Sequence, residues 1–262
     1  MSSSSRQILI VKLGSTFPEL SKKLGDFEDW IQEGIENKKY STKVIDAKSL
    51  PILPDPSSFI GIILTGSSAM VTDKEEWSER LKPWLIKSMN QKTPILGICY
   101  GHQLLADTFE GKVESRQDGV EIGTVLITRG LASQNDPLFK HLPIAFPAHT
   151  VHWQSVSKLP LNAILLASSQ LDKHHAFRIG DRTWGVQFHP EFSEVEMNFY
   201  VNEYKEVIQK EGKDVLSLLK NITFTSSART ILKRFGEFCI SSSTSLIINS
   251  QKKAINNQID GY

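Results

Sequence analysis

The chain has 262 residues, 40% hydrophobic and 23% charged, with 30 Lys+Arg against 29 Asp+Glu and a formal net charge of +1. That balance gives no electrostatic hold on nucleic acid or on an anionic membrane surface. The apolar runs at 7–13 and 59–64 fall far short of the ~20 residues that a spanning helix needs, so neither nucleic acid nor membrane is an expected partner.

Residues 8–13 form an aliphatic run that ends at Gly14-Ser15, which suits a buried first strand of a parallel sheet. Phe27, Trp30, Ile31 and Ile35 then fall at helical spacing, and 42–46 reads as a second strand. Pro51, Pro54 and Pro56 make a rigid connection into a third strand over 59–65, which stops at Gly66-Ser67-Ser68. Thr72 with Glu75 has the spacing of a capping box, followed by Trp77, Leu81, Trp84 and Leu85 on one helical face. Residues 95–99 read as the next strand and 101–109 as the helix that leaves it. Strands alternating with helices predict a doubly wound, mostly parallel α/β sheet flanked by helices.

From Gly111 to Gly185 the pattern changes to short β-like runs at 120–128, 144–148, 163–168, 176–179 and 183–188, expected to form a small antiparallel extension on the same core. Ser193 is placed to cap a helix through Val195, Phe199 and Tyr204, and 228–238 reads as a closing helix. Residues 241–262 are rich in Ser, Asn and Gln and are expected to form a loosely held tail.

Chemistry concentrates in two stretches. Gly97-Ile98-Cys99-Tyr100-Gly101 is the thiol counterpart of a Gly-x-Ser-x-Gly nucleophile elbow. A nucleophile on a strand-to-helix turn is cramped, and flanking glycines give clearance. The following helix points unpaired N–H groups and its positive dipole end at the sulfur, favouring thiolate. On its own a free cysteine is as readily a small buried hydrophobe; the strand before it and the helix after it favour chemistry.

A thiolate that expels an amine needs a proton shuttle, and Gly185-Val186-Gln187-Phe188-His189-Pro190-Glu191 offers one. Pro190 pushes His189 into extended backbone, where residues two apart share a face. Glu191 can therefore orient the His189 ring and stabilise imidazolium. No carboxylate or cysteine pattern accompanies His174-His175, so those read as a polar loop and no metal site is expected. His141 and His149 read as surface or turn residues, and His102 as a packing or hydrogen-bonding residue beside the elbow. With only Cys99 and Cys239 in the chain, and Cys99 required as a free thiol, a reducing cytoplasm is the expected compartment. The serines after Met1 are followed by no secretory apolar segment.

These motifs resemble the class I (triad-type) glutamine amidotransferases, most closely the glutaminase domain of GMP synthase and its stand-alone relatives, over residues 8–238. The resemblance implies a flavodoxin-like core, an amidotransferase domain over 1–240, and a Cys99-His189-Glu191 triad that opens the γ-amide of glutamine through a γ-glutamyl thioester. It places Gln103 on bound substrate and the Tyr100 N–H in the oxyanion hole. The second oxyanion donor comes from the loop Gly66-Ser67, where Ser67 stands in place of a usual glycine. His152-Trp153-Gln154-Ser155-Val156 resembles the segment where GMP synthases carry His-Gly-Asp and couple glutaminase to synthetase; Gln154 replaces the aspartate. No Ser-Gly-Gly-x-Asp-Ser phosphate loop follows Phe192, and no Gly-x-x-x-x-Gly-Lys is present. The expectation is a cofactor-free hydrolase acting on a small molecule and releasing ammonia, or passing it to a separate synthetase partner. A γ-glutamyl peptidase would use the same triad, and a non-catalytic regulatory module could keep the fold; the three remain open at this point.

Overall fold

The computed structural model describes residues 6–35 and 37–259, with side chains described through residue 244. In chain order the elements are β1 (Gln7–Lys12), α1 (Pro18–Leu24), α2 (Phe27–Gly34), β2 (Ser41–Asp46), β3 (Gly61–Leu64), α3 (Glu76–Asn90), β4 (Ile95–Ile98), α4 (Tyr100–Thr108), β5 (Lys112–Ser115), β6 (Glu121–Arg129), β7 (Ala145–His152), β8 (Gln154–Lys158), β9 (Ile164–Ser168), β10 (Ala176–Ile179), β11 (Thr183–Val186), α5 (Glu194–Glu203), α6 (Lys205–Lys210), α7 (Val215–Lys220) and α8 (Ser226–Ile259).

Nine strands form one sheet in the order β2-β1-β3-β4-β11-β10-β9-β6-β7. The first five are parallel, with β1 between β2 and β3 and β4 between β3 and β11. From β10 onward each strand is antiparallel to its neighbour. A separate two-stranded sheet pairs β5 with β8.

Side-chain alternation along the parallel strands divides the interior into two layers. Ile8, Ile10, Ile63, Leu96 and Ile98 face α2 and α8, packing with Ile31, Ile231, Leu232 and Phe235. Leu9, Val11, Ile62, Leu64 and Ile95 face the other way, onto Trp77, Leu81 and Leu85 of α3 and Leu104 and Leu105 of α4. Strands buried on both faces must be apolar throughout, which is why residues 8–11 show no polar alternation. Each fully buried aliphatic side chain contributes roughly 1.5–3 kcal/mol over an exposed one, so both layers are needed to hold the sheet.

The doubly wound architecture agrees with the sequence reading, with instructive departures. The run at 183–188, expected in the antiparallel extension, supplies β11, which lies parallel to β4 at the centre of the sheet with Gly185 opposite Gly97. The Thr72/Glu75 capping box does not form. Thr72 lies in a 3-10 turn (Val71–Asp73), and α3 starts at Glu76 behind Glu75, whose side chain caps nothing. The Thr72 hydroxyl instead accepts from Gln154 Nε2. Ser193 does cap α5, in a reciprocal box with Glu196. The closing helix continues as α8 through Ile259, across the position where the tail was expected to begin. Residues 1–5 and 260–262 lie outside the described residues. No helix among the described residues is long and apolar enough to cross a membrane.

Candidate active site

The carboxyl ends of β1, β3, β4 and β11 converge on one edge of the sheet, where open α/β sheets place their ligands. Cys99 follows β4 directly and takes φ 50° and ψ −99°. A residue with a side chain pays about 1–3 kcal/mol to sit in such sparsely populated backbone, so the surroundings must enforce it. They do so from both sides: the Cys99 N–H donates to Val186 O at 2.9 Å, and Cys99 O accepts the Gln103 N–H at 3.1 Å. A Cβ on Gly101 would come within 2.7 Å of Leu64 Cβ and 2.9 Å of Leu64 O, so only glycine lets α4 start this close to β3. Cys99 is 6% exposed and lines a cavity of about 840 Å³.

His189 enters from the segment after β11. Its N–H donates to His149 O at 2.8 Å, and its Nδ1 pairs with Glu191 Oε1 at 2.7 Å. The ring stacks on Phe192, with centroids 4.2 Å apart and planes 21° apart, and the Phe27 ring centroid lies 6.1 Å away. A Cβ on Gly66 would lie 3.1 Å from His189 Cε1, so the Gly66 loop borders the same imidazole. Burial pulls the His189 pKa down, but the Glu191 carboxylate and the Cys99 sulfur outweigh it and push it up to about 10. With Nδ1 occupied by Glu191, Nε2 is buried without a hydrogen-bond partner and is the ring atom left to serve the cavity that Cys99 and His189 both line. The Glu191 carboxylate and the Cys99 sulfur thus both favour the imidazolium form of the ring. His189 and Glu191 are both about 2% exposed, so little water competes for either contact.

The remaining expected residues line the same space. Gln103, on the first turn of α4, uses Nε2 to donate to Gln154 O at 2.8 Å and to Gln187 Oε1 at 3.0 Å. Both amide hydrogens are thus consumed, leaving Oε1 as the atom that can meet a ligand. Ser67 lines the cavity on a loop fastened to β1: Thr65 Oγ1 accepts the Leu13 N–H and donates to Gly66 O. Tyr100 is at the helix start, where an N–H has no intrahelical acceptor, and its phenol donates away to Ser78 Oγ at 2.8 Å. Of the seven expected site residues, Ser67, Cys99, Tyr100, Gln103 and His189 line the cavity, while Glu191 pairs with His189 and Gly66 borders its ring.

Several contributors escaped the sequence reading. His149, expected at a surface or turn, is fully buried in β7, where burial and the neighbouring His189 charge push its pKa down to about 4. His102, by contrast, packs as expected, fully buried against Phe177. Val151 O accepts from Cys99 Sγ at 3.7 Å. Gln187 was legible, since it sits inside the same seven-residue motif as His189.

His175 corrects the reading of His174-His175 as a polar loop without a carboxylate. It is fully buried, and its Nε2 lies 3.0 Å from Glu121 Oε2, an oxygen shared with His152 Nε2 at 2.8 Å. Asp172 completes a buried group of four potential metal-ligand side chains.

A parallel sheet with an elbow cysteine and a histidine–carboxylate pair at its carboxyl edge defines the class of α/β proteins with a cysteine-centred site. The chain belongs to the class-I glutamine amidotransferase family, whose signature spans residues 25–205. It is 30% identical over 174 residues to a glutamine-hydrolyzing GMP synthase subunit from Methanococcus aeolicus, covering 66% of this chain and 86% of that protein. It is also 30% identical over 156 residues to gamma-glutamyl peptidase 3 of Arabidopsis thaliana, covering 58% of this chain and 61% of that one. Against the full-length GMP synthase of Porphyromonas gingivalis the match spans 26% of that protein's length. A glutamine amidotransferase from Thermotoga maritima superimposes with a TM-score of 0.69 at 21% identity, covering 88% of this chain and 98% of the other, which shows the shared fold.

Proposed function

We propose that the protein is a cysteine hydrolase that opens the γ-amide of glutamine through a γ-glutamyl thioester, giving glutamate and ammonia. The observation that carries this reading is His189, paired through Nδ1 with Glu191, lining the same cavity as Cys99. The sulfur attacks the γ-carbonyl carbon, and the carbonyl electron pair moves to oxygen. The N–H groups of Tyr100 and Ser67 meet that oxyanion, where the loss of one such donor typically costs ~3 kcal/mol of barrier. The intermediate collapses as His189 hands its proton to the departing nitrogen, releasing ammonia. His189, now neutral, takes a proton from water as the oxygen attacks the thioester, and the sulfur leaves with glutamate released. Gln103 Oε1 accepts from the substrate's α-ammonium, since both its N–H groups are committed elsewhere.

The His189–Glu191 pair and the placement of Cys99 and His189 on one cavity support catalysis over a silent regulatory module. A second substrate, a γ-glutamyl peptide, is favoured by one observation: a cavity of about 840 Å³ falls in the range that accommodates drug-sized ligands and leaves space beyond glutamine itself. A separate synthetase that receives the ammonia, and a reducing cytoplasm that keeps both cysteines free, belong to the same proposal. Steady-state hydrolysis of glutamine and of γ-glutamyl dipeptides, measured side by side, tests it. Turnover of glutamine that disappears in Cys99→Ala supports the leading reading. Rapid dipeptide cleavage beside negligible glutamine turnover moves the assignment to the peptidase, and Cys99-independent turnover of either removes the mechanism.

A further inference from the structure

Beneath the active-site cavity, Glu121 at the start of β6, His152 at the end of β7, and Asp172 and His175 between β9 and β10 converge, each at most 4% exposed. One ligand-type atom from each lies within 4.8 Å of the other three. The hydrogen-bond arithmetic of this group does not close with neutral imidazoles. His152 Nδ1 lies 2.8 Å from the Gln154 carbonyl oxygen, which can only accept, so Nδ1 carries the hydrogen. A neutral ring then presents a bare lone pair at Nε2, and that atom sits 2.8 Å from Glu121 Oε2, another acceptor. Two lone pairs at that distance need either a shared proton or a metal ion between them. Fixing one ring nitrogen on a backbone carbonyl while the other is left bare is also how proteins orient a metal-ligating histidine.

A second observation points the same way. Asp172 Oδ2 is buried and has no partner of hydrogen-bond geometry. The nearest fixed charge, Arg116, stands off at 4.0 Å from Asp172 Oδ2 and 3.9 Å from Glu121 Oε2. Its Nη1 is spent on Ser155 Oγ and Leu171 O and its Nε on Gly119 O. The guanidinium therefore offsets charge without occupying the oxygens.

We infer that Glu121, His152, Asp172 and His175 form a structural binding site for a first-row divalent cation, with Zn²⁺ the best match to two imidazoles and two carboxylates. A tetrahedral Zn²⁺ with bonds of ~2.0–2.1 Å needs ligand atoms roughly 3.3 Å apart, a value between the 2.8 and 3.0 Å contacts to Glu121 Oε2 and the 4.8 Å within which all four ligand atoms lie. Two carboxylates and two neutral imidazoles balance its charge. All four protein ligands close the site to substrate, so its effect is on order: Gln154 O, which His152 holds, is the same oxygen that holds Gln103 Nε2. The cation would thereby pin β6, β7 and the 169–175 loop to the substrate-facing Gln103. The site stands independently of how the triad is read.

The test uses the full chain carrying Cys99→Ser, which removes the one accessible thiol as a competing ligand. Protein stripped with chelator is titrated with Co²⁺ and with Zn²⁺, following visible absorption, stoichiometry and thermal midpoint. The expected result is about one equivalent of Co²⁺ with tetrahedral absorption bands, and a midpoint raised by Zn²⁺. In the same background Glu121→Gln and His175→Gln, which preserve size and hydrogen bonding, should each lose the bands and the midpoint shift. Binding of less than about a tenth of an equivalent by the parent overturns the site and leaves a shared proton as the cation between His152 and Glu121. Undiminished binding in folded Glu121→Gln or His175→Gln places the ion elsewhere and overturns it equally. If both variants misfold, the parent's stoichiometry and Co²⁺ spectrum decide.

Discussion

Gly97 and Gly101 face each other across the turn that carries Cys99: a Cβ built on Gly97 would lie 2.4 Å from the Gly101 carbonyl oxygen and 2.5 Å from its carbonyl carbon. These are backbone atoms, so neither can rotate away. Gly97→Ala is therefore expected to push α4 off β4, destabilising the protein by roughly 1–3 kcal/mol or more, as overpacking does. Turnover should fall more than stability alone explains, because Cys99 moves with the helix. Denaturant melts and kcat on the folded variant check both; an unchanged midpoint with full activity would show that the elbow tolerates a side chain.

The strained backbone at Cys99 has a separate consequence. Cys99→Ala and Cys99→Gly should both abolish turnover, yet Cys99→Gly should be the more stable of the two, because only glycine occupies φ 50°, ψ −99° without steric cost. Relief of about 1–3 kcal/mol of strain against about 1 kcal/mol of added chain entropy gives a net gain on the order of 1 kcal/mol. Chemical denaturation of the two variants side by side measures it, and Cys99→Gly melting below Cys99→Ala would remove strain from the account.

Glu191 sets the protonation of His189, and the sign of the pH effect follows from it. With its pKa raised to about 10, His189 is protonated below that pH and loses the proton as pH rises through it. The step that protonates departing ammonia should therefore persist through neutral pH and fail only on the alkaline side. Glu191→Gln removes the charge but keeps the shape. It should bring that alkaline limb down toward the ordinary imidazole range and lower kcat by up to about 10⁴-fold, as loss of the orienting carboxylate does in the Ser-His-Asp triad. A pH–kcat profile that is identical in the two proteins would mean that Glu191 does not govern the ring.

Two cysteines in one chain provide an internal control. Cys99 lines the cavity, whereas Cys239 is fully buried in α8 against the sheet, and burial pushes its thiol well above the usual range. A glutamine-like electrophile should alkylate Cys99 far faster in the native protein, with labelling read by peptide mass spectrometry. Equal labelling of both would count against an activated sulfur at the elbow.

How much of this was legible depends on whether the signal is local. The elbow, the His189-Pro190-Glu191 pair and the Ser193/Glu196 cap each lie within a few residues, so spacing alone exposes them. The run that forms β11 reads as part of the antiparallel extension because a short apolar run looks the same whether its partners are parallel or antiparallel. β5 and β8 leave little trace because Lys112, Glu114, Ser157 and Lys158 interrupt the apolar pattern on a two-stranded surface ribbon. Thr72 and Glu75 have the right spacing for a cap, but Thr72 is claimed by Gln154, 82 residues away. The Glu121-His152-Asp172-His175 group is invisible in the sequence for the same reason, since its members come from three separate stretches that only the closed sheet unites.

The most direct test of the whole account is capture of the covalent intermediate. Protein mixed with glutamine is quenched in acid within one turnover and digested, and the mass of the Cys99 peptide is measured. The account predicts one added glutamyl group on Cys99, discharged by hydroxylamine as γ-glutamyl hydroxamate and absent from Cys99→Ala. Ammonia released at the wild-type rate with no adduct on Cys99, or with Cys99 replaced, would contradict it.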